Sequence, residues 1–219
     1  MKLTAFKYGE TQITEKSAFQ NGDKNKKLPI SLLFFLIETG SKKILADVGC
    51  DTMPGFEVSS FEKPIKLLSD YGVTADEITD ILITHAHHDH VDCLHYFKKA
   101  NVYLHKDELI DAKEYLAENQ KVHTFENSVR ICDGVIMKHI GGHSKGSSII
   151  LVSLPYGEYV LCGDECYTKE NLQKCIPSGS SYCVEKNMDF IKTYRELRYT
   201  VILFHDAMLV KKTGYRRIF

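Results

Sequence analysis

Short apolar runs separated by polar turns dominate the beginning of the chain and predict strands rather than helices. These runs lie at residues 3–8, 31–39 and 42–47, and the turn at Gly40 joins the last two into a hairpin. The polar residues 20–27 between the first two runs predict a loop. The chain therefore begins as an antiparallel β region.

The pattern changes to helical periodicity after this region. Apolar residues recur at near-helical spacing over residues 61–71, and Gly72 provides the stop of the predicted helix. Thr74 and Glu77 have the spacing of a capping box, which predicts a short helical turn. That turn leads into an apolar strand predicted at residues 80–84.

The second half of the chain continues with both kinds of element. Helices are predicted at residues 107–119 and 185–197, a polar tail at 211–217, and strands at 101–105, 135–140, 147–153, 158–162 and 199–204. Two sheets packed on each other with helices outside would fit this order, as a four-layer αββα sandwich. Periodicity alone leaves other α/β arrangements open.

Composition narrows the class of protein. A length of 219 residues with 43% hydrophobic and 26% charged residues predicts one globular domain over residues 1–219. The formal net charge of −1 gives no general attraction to nucleic acid or to an anionic membrane. The longest apolar run, residues 32–37, is far shorter than the roughly 20 residues of a membrane helix.

The cysteines and the N-terminus favour a cytoplasmic protein. Seven cysteines are an odd number and none has Cys-x-x-Cys spacing, which is typical of reduced thiols rather than of a disulfide framework. The first residues lack the apolar core of a secretory signal. We expect a monomer or homodimer.

A cluster of histidines follows the apolar run that ends the strand at residues 80–84. Four of the ten histidines and one aspartate lie within residues 85–90. His85 and His87 can approach one metal ion together, because residues i and i+2 of an extended backbone point the same way. Asp89 and His90 are adjacent and suit a second ion, about 3.5–4 Å away as in two-metal hydrolytic sites. His88 is expected to point away.

Further ligands for two ions are available at other strand ends. His143 lies in a glycine-rich turn, Asp164 ends a strand where its two oxygens can bridge two ions, and His205 ends another strand. Imidazole and carboxylate ligands suit zinc, with iron or manganese as alternatives. A histidine-rich surface loop that binds nothing is the opposing interpretation, and the position at a strand end argues against it.

In this arrangement the sequence resembles the metallo-β-lactamase-fold hydrolases over nearly its whole length. Their His-x-His-x-Asp-His motif and their later ligands are matched, in the family's order, by His85, His87, Asp89, His90, His143, Asp164 and His205. Asp47-Val48-Gly49 also resembles the family's first Asp-x-Gly motif, a turn near the site. The resemblance implies the αββα sandwich and two divalent metal ions. It places one ion on His85, His87 and His143, the other on Asp89, His90 and His205, and Asp164 between them.

Residues 163–171 resemble the segment after the bridging aspartate in N-acyl-homoserine lactonases, which are quorum-quenching enzymes. Tyr167, the third residue after Asp164, stands where a tyrosine of those lactonases helps to hold the lactone carbonyl. The sequence departs from the usual lactonase residues at positions 91–94 and at Gly141. These departures bear on the shape of the pocket and leave all the metal ligands in place. Cys93, within the first departure, is expected to be a core thiol.

The resemblance implies hydrolysis of a small-molecule ester or lactone. A water bridging the two ions would lose a proton near neutral pH and attack the ring carbonyl, which Tyr167 would help to polarise. Asp89 would carry a proton to the leaving alkoxide. Neither nucleic acid nor membrane is expected as a partner.

Other members of this fold remain as alternatives. A glyoxalase II-like thioesterase or another esterase of the fold shares the ligand set, although the basic C-terminal helical region of that thioesterase is not evident here. A diiron redox relative would carry glutamate in place of His87. A non-catalytic metal-binding relative would have lost ligands, and all seven positions are occupied.

Overall fold

Twelve strands build two sheets in the computed structural model, which describes all residues from Met1 to Phe219. The strands are β1 (Lys2–Thr14), β2 (Lys27–Thr39), β3 (Lys42–Ala46), β4 (Asp80–Leu82), β5 (Asn101–His105), β6 (Val122–Phe125), β7 (Ser128–Cys132), β8 (Val135–His139), β9 (Ser148–Leu154), β10 (Gly157–Leu161), β11 (Tyr199–Ile202) and β12 (Gly214–Arg217). The first sheet has the order β12-β1-β2-β3-β4-β5-β6 and the second the order β11-β10-β9-β8-β7.

Helices connect these strands and cover the outer faces of the sheets. They are α1 (Glu15–Ala18), α2 (Pro64–Tyr71), α3 (His88–Val91), α4 (Leu109–Ala112), α5 (Lys169–Lys174) and α6 (Val184–Tyr194). Short 3-10 helices lie at Ala75–Glu77, Asp92–Tyr96, Lys106–Glu108, Lys113–Tyr115 and Gly163–Glu165. No helix combines the length and the hydrophobicity that crossing a membrane requires.

Strand β2 shows why the sequence gives this layering. Its side chains alternate between the two faces of the sheet, so that Leu32, Phe34 and Leu36 pack in one cluster with Leu67 and Leu68 of α2. The intervening residues Leu33, Phe35 and Ile37 pack against the second sheet in a separate cluster. Both faces are buried, which explains why the strand reads as a continuous apolar run. With α6 packed on the outer face of the second sheet, the layers are those of the expected αββα sandwich.

Some predicted boundaries are wrong. The helix predicted over residues 61–71 begins at Pro64, since proline is favoured at the first helical position. The helix predicted over 107–119 is three short turns that end at Tyr115, because Leu116 is extended and Asn119 has a left-handed backbone. The helix predicted over 185–197 ends at Tyr194.

The sequence also conceals several elements. β6, β7 and α5 were not expected, and residues 214–217 are not a polar tail but the edge strand β12, antiparallel to β1. Edge strands often carry charged residues, which makes them hard to recognise from hydrophobic patterning. β1 is longer than predicted and passes through an irregularity between Lys7 and Gly9.

Candidate metal centre

The predicted site residues converge where parallel strands end. β3 and β4 are parallel neighbours, so Asp47 and the segment 83–87 leave the first sheet at the same edge. β10 and β11 are parallel neighbours in the second sheet, so Asp164 and His205 also emerge together. His143 reaches the same place from the turn between β8 and β9.

A first group of side chains consists of His85, His87, His143 and Asp164, whose potential ligand atoms all lie within 4.8 Å of one another. His87 Nδ1 is 3.0 Å from both His85 Nε2 and His143 Nε2. The Asp164 Oδ2 atom is 3.6 Å from His143 Nε2 and 3.9 Å from His85 Nε2. His87 is exposed at the mouth of the site while the other three are buried.

A second group consists of Asp89, His90 and His205. The other oxygen of Asp164, Oδ1, is 3.2 Å from His90 Nε2 and 3.0 Å from His205 Nε2. The Asp89 Oδ2 atom is 3.6 Å from His90 Nε2 and 3.8 Å from His205 Nε2. Asp164 thus faces one group with each carboxylate oxygen, which is the geometry a bridging ligand requires.

Unpartnered buried atoms show that these residues fit metal ions. His90 Nε2, His205 Nε2 and Asp164 Oδ1 are buried, and although Oδ1 lies 3.2 Å and 3.0 Å from the two nitrogens, none of the three atoms makes a hydrogen bond of acceptable geometry. Buried polar atoms of a stable protein normally find partners, and three that face one another indicate a ligand set. Imidazole nitrogens and carboxylate oxygens are ligands that zinc accepts.

The far sides of the imidazoles are held by the protein. His90 Nδ1 is 2.6 Å from Asp47 Oδ2, and His205 Nδ1 donates to the Ser31 carbonyl at 2.9 Å. Such contacts fix the orientation and tautomer of metal-binding histidines, and leave Nε2 free to face the ion. The sequence indicated Asp47 only as a turn near the site, and no motif pointed to Ser31.

Burial and charge set the protonation of the ligands. Burial lowers the pKa of His143 to about 4, so this imidazole is neutral near pH 7 and ready to bind a metal. Burial also disfavours the charged form of His90, but Asp89, Asp164 and Asp47 outweigh it and hold the pKa of that ring well above its ordinary value. A divalent ion on the Nε2 side would replace this proton.

A cavity of about 400 Å³ opens beside the two groups. Its lining includes the apolar residues Ile13, Ile30, Met53, Pro54 and Phe56 together with His87, His88, Asp89, Asp164, Tyr167 and His205. A larger groove of about 710 Å³ lies alongside it and contains none of the predicted site residues. The apolar residues come from separate segments, and sequence reasoning did not find them.

Tyr167 lines the cavity. Its ring stacks on His205 with the ring centroids 5.2 Å apart and the planes at 13°. Its hydroxyl accepts a hydrogen bond from Ser180 Oγ at 3.3 Å, which leaves the tyrosine's own proton available to another acceptor. Burial raises the pKa of Tyr167 well above its ordinary value, so the hydroxyl keeps that proton.

Comparison with known protein families agrees with this geometry. The metallo-beta-lactamase superfamily model matches residues 33–174. The chain belongs to the metallo-beta-lactamase superfamily.

Two relatives of the superfamily are similar to this chain in sequence. The N-acyl homoserine lactonase AiiB of Agrobacterium fabrum is 23% identical over 269 aligned positions, covering 97% of each chain. A probable metallo-hydrolase of Methanocaldococcus jannaschii is 29% identical over 149 positions, covering 68% of this chain and 66% of the relative.

Solved structures of the superfamily share the fold. An N-acyl homoserine lactone hydrolase with N-hexanoyl-L-homoserine bound at its catalytic metal centre superposes with a TM-score of 0.82, at 21% identity over 93% of this chain and 92% of that one. AidC, described as a dizinc quorum-quenching lactonase, gives a TM-score of 0.75 at 14% identity over 99% and 93% of the two chains.

Two residues near the superfamily motif lie outside both ligand groups. His88 lines the cavity, and its Nε2 donates to the Thr52 carbonyl at 2.8 Å rather than joining the ligand atoms. Cys93 is fully buried in the hydrophobic core, with its Sγ 3.8 Å from Asp51 Oδ1. It therefore packs as a core thiol, as the sequence indicated.

Proposed function

We propose that this protein is a dinuclear metal-dependent hydrolase that opens the lactone ring of N-acyl homoserine lactones, a quorum-quenching activity. The observation that carries the proposal is Asp164, whose two oxygens face two groups of ligands at the floor of a cavity that also holds Tyr167. The lactonases among the relatives, which align over nearly the full length, support the choice of substrate.

The cavity suits a substrate with one polar and one apolar end. Its volume of about 400 Å³ is within the range of small-molecule sites. The acyl chain would lie against Met53 and Phe56, and the ring would face Asp89 and Tyr167.

The ligand roles follow the two groups. His85, His87 and His143 would hold one ion, Asp89, His90 and His205 the other, and Asp164 both. When bound, two such ions activate water near neutral pH and polarise a carbonyl. We propose zinc, with iron or manganese as alternatives that metal analysis of the purified protein distinguishes.

Two side chains would act directly on the substrate. Tyr167 would donate its proton in a hydrogen bond to the carbonyl oxygen, where negative charge develops as water adds to the carbonyl carbon. Asp89 would then carry a proton to the ring oxygen as the bond between that oxygen and the carbonyl carbon breaks. The product is the open hydroxy acid.

A hydrolysis panel tests this proposal. The metal-loaded protein is assayed with acyl homoserine lactones of several chain lengths, a simple γ-lactone, S-lactoylglutathione and a penicillin. We expect the acyl homoserine lactones to be the best substrates. Turnover of the thioester alone would contradict the lactonase assignment while leaving the superfamily unchanged.

A histidine variant tests the metal-based chemistry. His87→Ala should lose both bound metal and hydrolysis, because the first group would lose a ligand. His123→Ala is the matched control, since His123 is an exposed residue of β6 that stacks on Tyr103. Full activity of His87→Ala would contradict the proposal.

We also place the protein in the cytoplasm, because all seven of its cysteines are free thiols. Its assembly as a monomer or homodimer stays a prediction, which light scattering of the purified protein would test.

A further inference from the structure

Two buried glutamates outside the ligand groups flank the segment 141–147, here termed the His143 loop. Glu108 follows β5 and is 4% exposed, and Glu165 directly follows Asp164 and is fully buried. Lys and Arg side chains are absent from the hydrogen bonds of both carboxylates, whose partners are mainly backbone N–H groups and hydroxyls. Each glutamate thus serves to hold polypeptide segments in place.

Glu108 joins the two segments that carry the histidines of the first group. Its Oε2 accepts a hydrogen bond at 2.7 Å from the N–H of Ala86, the residue between His85 and His87. Its Oε1 accepts from the Gly146 N–H at 2.8 Å and from the Ser144 hydroxyl at 2.7 Å. One carboxylate therefore fixes the spacing between the histidine motif and the His143 loop.

Glu165 holds the His143 loop from the other side. Its Oε1 accepts from the N–H groups of Gly142 and His143, both at 3.1 Å, and from the Ser147 hydroxyl at 2.6 Å. Its Oε2 accepts from Asn187 Nδ2 of α6 at 2.7 Å. The loop is thus connected to the outer helix layer.

The glycines of the loop permit these close approaches. A Cβ atom on Gly142 would lie 2.1 Å from Glu165 Oε2, and one on Gly146 would lie 2.7 Å from Glu108 Cγ. Space for the two carboxylates therefore helps to explain why this turn is rich in glycine.

The second group is held by other contacts. Asp47 orients His90 and the Ser31 carbonyl orients His205. Glu108 contacts neither of these two histidines nor their supports.

We infer that Glu108 and Glu165 are positioning residues that preorganise the ion site of His85, His87 and His143, and that Glu108 acts on that site alone. The inference rests on the ligand set of the proposed function. Glu108 supports one ion without touching the groups that orient His90 and His205, so that the affinity for this ion can change while the affinity for the other is kept.

Glu108→Gln is the sharpest test, because both oxygens of Glu108 accept from a backbone N–H. A glutamine offers only one oxygen, so its NH2 group must face the N–H of either Ala86 or Gly146. Losing a support of this kind typically lowers metal affinity by about 10- to 100-fold. Zinc is titrated into the metal-free protein against a chromophoric chelator, which gives two dissociation constants.

We expect one zinc dissociation constant of Glu108→Gln to rise about 10- to 100-fold while the other is unchanged. Ser144→Ala, which removes one hydrogen bond and leaves Glu108 in place, should raise the same constant by less. Glu118→Gln, the same substitution at an exposed position, is the control. Circular dichroism of the metal-free variants checks the fold. If Glu108→Gln does not fold, the zinc titration of Ser144→Ala tests the inference in its place.

Two unchanged constants in the Glu108 and Ser144 variants would overturn the inference, as would an equal rise of both constants. Failure of this inference can be distinguished from failure of the proposed function. If His87→Ala still binds two zinc ions normally, the ligand set itself is wrong. If His87→Ala loses an ion and Glu108→Gln behaves as wild type, only the positioning role is wrong.

Discussion

The Asp47 carboxylate accepts a hydrogen bond at 2.6 Å from Nδ1 of His90, although the two residues are 43 positions apart in the chain. The same carboxylate accepts from the backbone N–H and the hydroxyl of Thr84, both at 2.7 Å. Asp47 adopts a left-handed backbone with φ of 54°, which aspartate tolerates better than most residues. It therefore joins the end of β3 to the histidine motif and to α3.

Asp47→Asn should weaken the second ion. If the amide oxygen keeps the Thr84 N–H, the NH2 group faces His90 Nδ1 and favours the tautomer with its proton on Nε2, which cannot bind a metal. We expect about a 10- to 100-fold loss of affinity for one ion, measured by the same zinc titration. The ion whose affinity falls should differ from the one affected by Glu108→Gln. The double variant should therefore bind both ions more weakly. Unchanged affinities would contradict the role given to Asp47.

Tyr167→Phe should lower kcat without loss of metal. Tyr167 lines the cavity and its hydroxyl accepts from Ser180, and removing a donor to a developing oxyanion typically lowers the rate by about 10²- to 10³-fold. The ring would still stack on His205, so both ions should stay bound. Steady-state kinetics with an acyl homoserine lactone and metal analysis of the same sample make the comparison. An unchanged kcat would remove Tyr167 from the reaction.

The histidine motif was predictable because its information is local. His85, His87, Asp89 and His90 lie in one segment, and their spacing alone divides them into two half-sites. The structure brings His143, Asp164 and His205 to this segment, as the resemblance implied. Asp164 and His205 follow the parallel neighbours β10 and β11, which carry them to the same edge, and His143 reaches that edge from the turn between the antiparallel strands β8 and β9.

The apolar wall of the cavity was not predictable in this way. Ile13, Met53 and Phe56 lie at the far end of β1 and in the loop after β3, and they share no spacing that marks a pocket. The supports of the loops were missed for the same reason. Glu108 and Ala86 meet only through the parallel pairing of β4 and β5.

Errors in secondary structure arose where tertiary contacts override local pattern. β12 is polar because it is an edge strand, yet its backbone pairs with Thr4, Ala5, Phe6 and Lys7 of β1. In the segment predicted as one helix at 107–119, Ala112 and Leu116 of the expected apolar face are buried or half-buried. The helical backbone nevertheless stops before Leu116, which is extended, so the apolar spacing marked the buried face but not the end of the helix.

Phe35→Ala should destabilise the fold strongly. Phe35 is fully buried between the sheets and meets Phe204 edge to face, with ring centroids 4.8 Å apart. Removing such a ring typically costs about 3–5 kcal/mol in the free energy of unfolding. Urea denaturation of the metal-free protein measures the change, and Tyr156→Ala, at a side chain that is 69% exposed, is the control. A loss below about 1 kcal/mol would contradict the packing of the two sheets described here.

Thiol reactivity should divide the seven cysteines into two classes. Four are buried, and three, Cys132, Cys175 and Cys183, are only half-buried. Burial raises the pKa of Cys50 to about 12, so only about one molecule in 10⁴ would carry the reactive thiolate there at pH 8. Burial also raises the pKa of Cys93, Cys162 and Cys166 above the ordinary value. Slow reaction at these sites is therefore expected for electrostatic as well as steric reasons.

A chromogenic disulfide reagent at pH 8 measures this division. We expect at most three fast equivalents from the native protein and seven from the protein in denaturant, since unfolding returns the buried thiols to water. Cys183→Ser should lower the fast count by one if that half-buried thiol is among the reactive ones, whereas Cys93→Ser should leave it unchanged. A fast fourth equivalent that disappears in Cys93→Ser would show that Cys93 is accessible beside the metal centre. That result would contradict the burial of Cys93 in the core and would indicate that residues 91–94 line the pocket.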